Sequence, residues 1–226
     1  MPMTFEPLPL PTLRGQIAER IREAILNGQL RAGERIVERK LAAQFRASLT
    51  AIREAVFSLE AEGLISKKPN ASTCVTKLTL ADVDAIFEVR KLLEPYVVGK
   101  AATNASEQQT AALEHGYLEL VDAARQNNIQ LYVMRDFAWH SSVWSVGGNE
   151  YLQATLKRVT LPLFGFSSIR FKQRPAFDLL NDATSHAVLL ESIKGRNAAT
   201  AEQAMRSAID FWYAEIREFF ANQSEE

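Results

Sequence analysis

The segment that most limits the fold is Glu38–Ile65, ERKLAAQFRASLTAIREAVFSLEAEGLI. It reads as two short helices joined by a tight turn. In the second, Ile52, Ala55, Val56 and Leu59 fall three and four apart and so share one face. Thr50 and Arg53 lie on the other side, with Leu49 beside them. Ser48 stands where a hydroxyl accepts an orphan backbone N–H, which makes it the expected N-cap. The result is a helix with an apolar back and a hydroxyl and a guanidinium at its front end. Arg suits two-pronged contact with a guanine edge, and Thr suits phosphate or a base edge. Spacing alone does not decide the matter, because the same helix pair occurs in proteins that never touch DNA.

The flanking sequence adds weight. Upstream, Leu13, Ile17, Ile21 and Ile25 recur every four residues and predict an amphipathic helix that stops near Asn27-Gly28. Downstream, Gly63-Leu64-Ile65 ends the second helix, and SKKPNASTCV predicts a hairpin with Pro69-Asn70 as its turn and Lys67 and Lys68 near its tip. Thr79 and Asp82 then open a long helical region. Helices are expected at about 80–103, 107–127, 129–146, 149–170, 176–194 and 198–222, separated by breaks such as Gly147-Gly148-Asn149, Arg174-Pro175 and Gly195-Arg196-Asn197. The expected fold class is mainly α: an N-terminal winged helix-turn-helix with a small β-wing, followed by an all-α helical bundle. The expected boundaries are a flexible leader at 1–11, the winged unit at 12–78 and the bundle at 79–226.

Charge follows the same division. Residues 13–78 carry 12 basic and 7 acidic side chains, whereas residues 79–226 carry 14 and 19. A basic head on an acidic body is the footprint expected of a nucleic-acid-binding unit joined to a sensing unit. No apolar run reaches membrane-spanning length, and no secretory signal opens the chain. The single cysteine, Cys74, fits a reducing cytosol, so a cytoplasmic location is expected.

The predicted bundle carries polar groups in suggestive register. Asp136 and His140 are spaced i, i+4 and project from one helix face, which suits either convergence on a metal ion or a simple hydrogen bond. His186 follows Asp182 by the same interval. His115 has no such setting and is expected on the surface. Arg90 offers a fixed fork to a carboxylate, or else lies on the surface paired with Glu94 at i+4. Trp139, Trp144, Phe164 and Phe166 are candidates to line a cavity or simply to fill the core. Arg170 and Arg174 are further candidates to meet an anion.

The stretch from Ile17 to Val75 resembles the DNA-binding domain of the GntR family of bacterial transcription regulators, through NGQLRAGERIVERKLA, SLTAIREAVFSLEAEGLI and KPNASTCV. That resemblance implies DNA contacts by Arg39, Ser48, Thr50 and Arg53. Arg46, Lys67 and Lys68 join them as expected phosphate-binding residues. The chain departs from the family at Leu49, where a base-reading arginine is usual, at Arg46, where a turn glycine is usual, at Ala51 for proline, and at Ser72 for the wing glycine. Leu49 can touch a thymine methyl but cannot hydrogen-bond a base. A non-glycine residue at 46 either adopts positive φ or adds a phosphate contact.

About residues 80–222 resemble the FCD sensing domain of the FadR-like branch, in its VanR-type six-helix form, through EVRKLLEPYVVGKAA, RDFAWHSSVWSVGGNEYL and HAVLLESIKGRNAATAEQAM. In that domain an Asp and three His commonly surround a divalent metal. Asp136, His140 and His186 match three of these positions, and the fourth is Ala208. The resemblance therefore implies a three-donor site for zinc, nickel or manganese, with water or a ligand carboxylate completing it. It also implies an organic-acid effector bound by Arg90, Asp136, His140 and His186, and a homodimer that reads a palindromic operator. No catalytic residue is expected. Two alternatives remain at this stage: a ligand- or metal-binding protein with a decayed DNA head, and a metal-dependent enzyme built on the same three residues. HExxH and nucleophile-elbow motifs are absent from the sequence.

Overall fold

The structure, a computed structural model, describes residues 12–67, 72–173 and 177–223. The first helix, α1 (Leu13–Leu26), starts at Thr12, whose hydroxyl accepts from the Gly15 N–H, and ends at Asn27. Its Ile17, Ile21 and Ile25 are buried, each contributing about 1.5–3 kcal/mol if fully removed from water. Leu13, expected on the same stripe, is 56% exposed. It is the first residue of the helix and lies beyond the body on which the rest packs.

Helix α2 (Glu38–Phe45) ends on Arg46 in the left-handed region, with φ 51° and ψ 41°. Three residues later α3 (Leu49–Ala61) begins, capped by Ser48, whose hydroxyl accepts from the Ala51 N–H. Its Ile52, Ala55, Val56 and Leu59 are all buried, as their spacing requires. The chain then turns through Gly63 into β1 (Ile65–Lys67), which pairs antiparallel with β2 (Thr73–Val75) so that Ile65 faces Val75. Cys74 sits half-buried in β2 and also bridges to Arg35. Lys68, Pro69 and Asn70, the expected wing tip, lie outside the described residues, as does the leader at 1–11.

Six helices follow: α4 (Leu80–Asn104), α5 (Glu107–Arg125), α6 (Ile129–Val146), α7 (Glu150–Gln173), α8 (Leu179–Lys194) and α9 (Ala198–Gln223). Thr79 with Asp82, and Ser106 with Gln109, form reciprocal capping boxes that satisfy orphan N–H groups at the starts of α4 and α5. Helix α7 runs to Gln173, beyond the expected end near 170, and α8 starts at Leu179 because Asp178 caps it, accepting from the Asn181 N–H. The expected break at Arg174-Pro175 falls outside the described residues. No described helix is long and apolar enough to cross a membrane.

Two apolar clusters hold the molecule together. One lies within the bundle and includes Phe87, Val97, Trp139, Trp144, Leu156 and Ile209. The other runs from Ile21, Ile52 and Leu59 in the head into Val121, Tyr132 and Leu161 in the bundle. The head is therefore seated on α6 and α7. Gly63 marks the closeness of the seat: a Cβ there would lie 3.2 Å from the Arg158 carbonyl and 3.3 Å from Pro162 Cγ.

Candidate functional site

Helix α6 presents Asp136 and His140 one turn apart on its inner face, and α8 brings His186 against them. His186 Nε2 lies 3.1 Å from Asp136 Oδ1 and 3.3 Å from His140 Nε2, and His140 Nε2 lies 3.4 Å from Asp136 Oδ1. The other nitrogen of His186 is 3.1 Å from the Asp182 carbonyl. A carbonyl only accepts, so Nδ1 carries the hydrogen and Nε2 is aimed at Asp136 and His140. Trp139 meets both imidazoles edge-on, with centroids 5.3 Å and 5.1 Å away, and anchors itself by donating Nε1–H to the Leu113 carbonyl.

Burial and charge set the protonation. Burial acts to raise Asp136, but the hydrogen bond from His186 and the positive charge nearby outweigh it and leave the carboxyl below its usual range. Burial acts to lower His186, yet the bond to Asp136 and the carboxylates of Asp136 and Asp182 push it up to about 9. For His140 burial wins, helped by the charges of His186 and Arg90, and drives it to about 3. Its Nδ1 is buried with no hydrogen-bond partner among the described residues. The pair of Asp182 with His186, expected from spacing, is not a side-chain pair. The Asp182 carboxyl accepts instead from the Tyr132 hydroxyl, and burial raises it to about 7. His115, with its side chain 77% exposed, stays on the surface as expected.

Arg90 reaches the same centre from α4. It is both buried and paired, with Nε and Nη2 at 2.5 Å and 3.4 Å from the fully buried Glu94 carboxylate. The sequence offered those as alternatives; the structure has both. Burying Glu94 beside it neutralises a charge that would otherwise be costly to desolvate.

Two cavities flank this centre. A small one of about 50 Å³ is lined by Asp136, His140, His186, Phe164 and Phe171 among others. A larger one of about 270 Å³ opens between α8 and α9, with Arg90, His140, His186, Met205, Ala208 and Trp212 in its wall. Phe164 lines a cavity, one of the two roles open to it, whereas Phe166 stacks on Phe220 away from both. Trp144 is wholly buried, 6.0 Å from the His140 ring. Trp212 and Met205 escaped sequence reading, although they lie at i+4 and i−3 from Ala208 on one helix face. Arg170 is fully buried with its guanidinium over Phe171, Phe177 and Trp212, outside both linings. Arg174 lies outside the described residues.

On the head, Arg39, Arg46, Ser48, Thr50, Arg53 and Lys67 are all exposed, and Lys68 is not among the described residues. Arg53 Nε donates to Glu38 across the helix pair at 2.9 Å while its side chain stays 64% exposed. An ion pair that open to water is worth little, so the guanidinium is readily released to another acceptor. Phe57, 72% exposed one turn beyond Arg53, was not singled out from sequence.

The donor set fits a divalent metal. One oxygen and two imidazole nitrogens from two helices lie within 4.8 Å of one another, in a pocket that already fixes the His186 tautomer. FCD domains often bind metal, and this group is where such an ion would be held.

Residues 13–75 match the family described as bacterial regulatory proteins, gntR family, and residues 85–211 match the FCD domain. The chain belongs to the GntR family of DNA-binding transcription regulators, in the group that carries an FCD ligand-sensing domain. It is 27% identical over 190 residues to the HTH-type transcriptional regulator YdhC of Bacillus subtilis, covering 83% of this chain and 84% of that one. To the transcriptional regulator LutR of the same organism it is 27% identical over 202 residues, covering 80% and 90%. The Escherichia coli structure of McbR/YncC superposes with a TM-score of 0.81 at 17% identity, covering 93% of this chain and 100% of that one, a likeness of fold.

Proposed function

We propose that this regulator changes its affinity for a palindromic operator when a small organic acid binds in the bundle. The division of labour is residues 12–78 for DNA and residues 79–226 for the effector and for homodimerisation. Arg53, Thr50 and Ser48 read or position the duplex from the front of α3, and Arg39, Arg46, Lys67 and Lys68 hold phosphates. Asp136, His140 and His186 hold a divalent ion such as zinc, nickel or manganese, which would supply a Lewis-acidic point for a carboxylate. Arg90 provides the second, fixed cationic contact. The protein acts as a regulator and not as an enzyme.

The observation that carries this reading is the convergence of three donor atoms from α6 and α8 with the buried Arg90 on the small cavity, three of these four residues (Arg90, His140 and His186) also facing the larger one. The route to the head is short. Helix α6 turns Asp136 and His140 inward and Met134, Phe137 and Ala138 outward, into a cleft of about 730 Å³ that α1 closes with Arg22 and Leu26. An effector that favours one setting of α6 therefore favours one seating of the head, and only that difference in affinity shifts DNA binding. The test is footprinting on the promoter beside its own gene, with and without metal and a panel of organic acids. Occupancy of a site that responds to an acid in wild type and not in Arg90→Gln supports the proposal; equal binding to random duplex under all conditions overturns it.

A further inference from the structure

We infer that the acid sensed here has an apolar tail, an aromatic ring or a medium alkyl chain, lodged in the cavity that Ala208 opens between α8 and α9. This rests on the reading of the centre as an organic-acid site and specifies which acids suit it. The cavity has two unlike ends. One is polar: the Arg90 guanidinium, held by Glu94, and the imidazoles of His140 and His186, all largely buried. The other is hydrocarbon: Val188, Leu189, Ala204, Met205, Ala208 and Phe211. Of the hydroxyls in the wall, Ser185 already donates to the Asp182 carbonyl at 2.7 Å, which leaves only the exposed Ser207 at the rim.

That distribution selects by chemistry. A sugar acid or polyhydroxy acid placed with its carboxylate at Arg90 would set its hydroxyls against Leu189, Ala204 and Met205. Those hydroxyls would lose water and gain no partner, an unfavourable exchange. A phenyl or alkyl group would instead cover side chains that water now reaches, with Val188 66% and Phe211 57% exposed. The small cavity on the other side of the centre, about 50 Å³, has no room for such a tail. Only the side where residue 208 is alanine accommodates it. An imidazole at that position would occupy part of the cavity.

The experiment is calorimetric titration of the full chain, supplied with zinc, using acetate, D-gluconate, hexanoate and phenylacetate. Hexanoate and phenylacetate are expected to bind roughly 10-fold to 100-fold more tightly than acetate, and gluconate no more tightly than acetate. Ala208→Phe should remove most of that gain and the smaller Ala208→Val part of it, with helical content by circular dichroism reporting that both variants fold. Gluconate binding as tightly as phenylacetate, or a tail gain untouched by both variants, overturns the inference. If acetate binds and is lost in Arg90→Gln while longer tails add nothing, this inference fails alone. If none of the four acids binds, the organic-acid centre fails and takes this inference with it.

Discussion

The head and the bundle use arginine in opposite ways. On the head, Arg53 lies in water and borrows Glu38 as a loose partner. In the bundle, Arg90 is buried and locked to a Glu94 that no solvent reaches. An exposed guanidinium is available to any acceptor that approaches, and its effect is screened by salt. A buried one is aimed in advance and meets only what enters the cavity. The contrast fits a molecule that must find its duplex by long-range attraction and its effector by shape.

Four substitutions, in descending order of effect, and then one titration would break or sharpen this contrast. Glu94→Ala strands the Arg90 charge in the interior and should destabilise the protein by about 3–5 kcal/mol, read as a lowered urea midpoint. Arg53→Ala should cost about 1–3 kcal/mol of cognate-site affinity in gel shifts, with little change in stability. Ala208→His should tighten zinc binding by about tenfold or more in competition with a chelating dye, because it adds a fourth donor, a third imidazole nitrogen. Arg39→Ala should weaken cognate and random duplex alike and reduce the salt slope by about one.

The titration concerns chelator-treated protein, in which two groups act in separate pH windows. His186 stands at about 9 against an ordinary 6.5, so its stabilisation is complete below pH 6.5 and is lost as pH rises through 9. His140 stands at about 3, so its contribution is present above pH 6.5 and is lost as pH falls toward 3. The urea midpoint should pass through a maximum between these limits and flatten on the alkaline side when zinc is restored. An unchanged alkaline limb with and without zinc would count against His186 as a ligand.

The head was legible residue by residue because its signals are local. The Ser48 cap, the buried face of α3 and the turn at Arg46 each depend on neighbours a few positions away. The bundle's helices were legible too, from their caps and breaks. The centre was only half so. The i, i+4 pair of Asp136 and His140 is a local pattern, and a family resemblance supplied His186. Tyr132 taking the Asp182 carboxyl is a contact across fifty positions that no periodicity announces. Trp212 and Met205 join the cavity wall only because α9 packs beside α8. The burial of Glu94 likewise depends on packing against other helices.

Arg46 ties endurance to grip. Its left-handed backbone costs roughly 1 kcal/mol that glycine would avoid. Exchanging it for glycine should raise the melting temperature while removing a cation from the surface proposed to face the duplex. A breeder of hardier variants would thus drift toward a protein that survives heat better and holds its target less well.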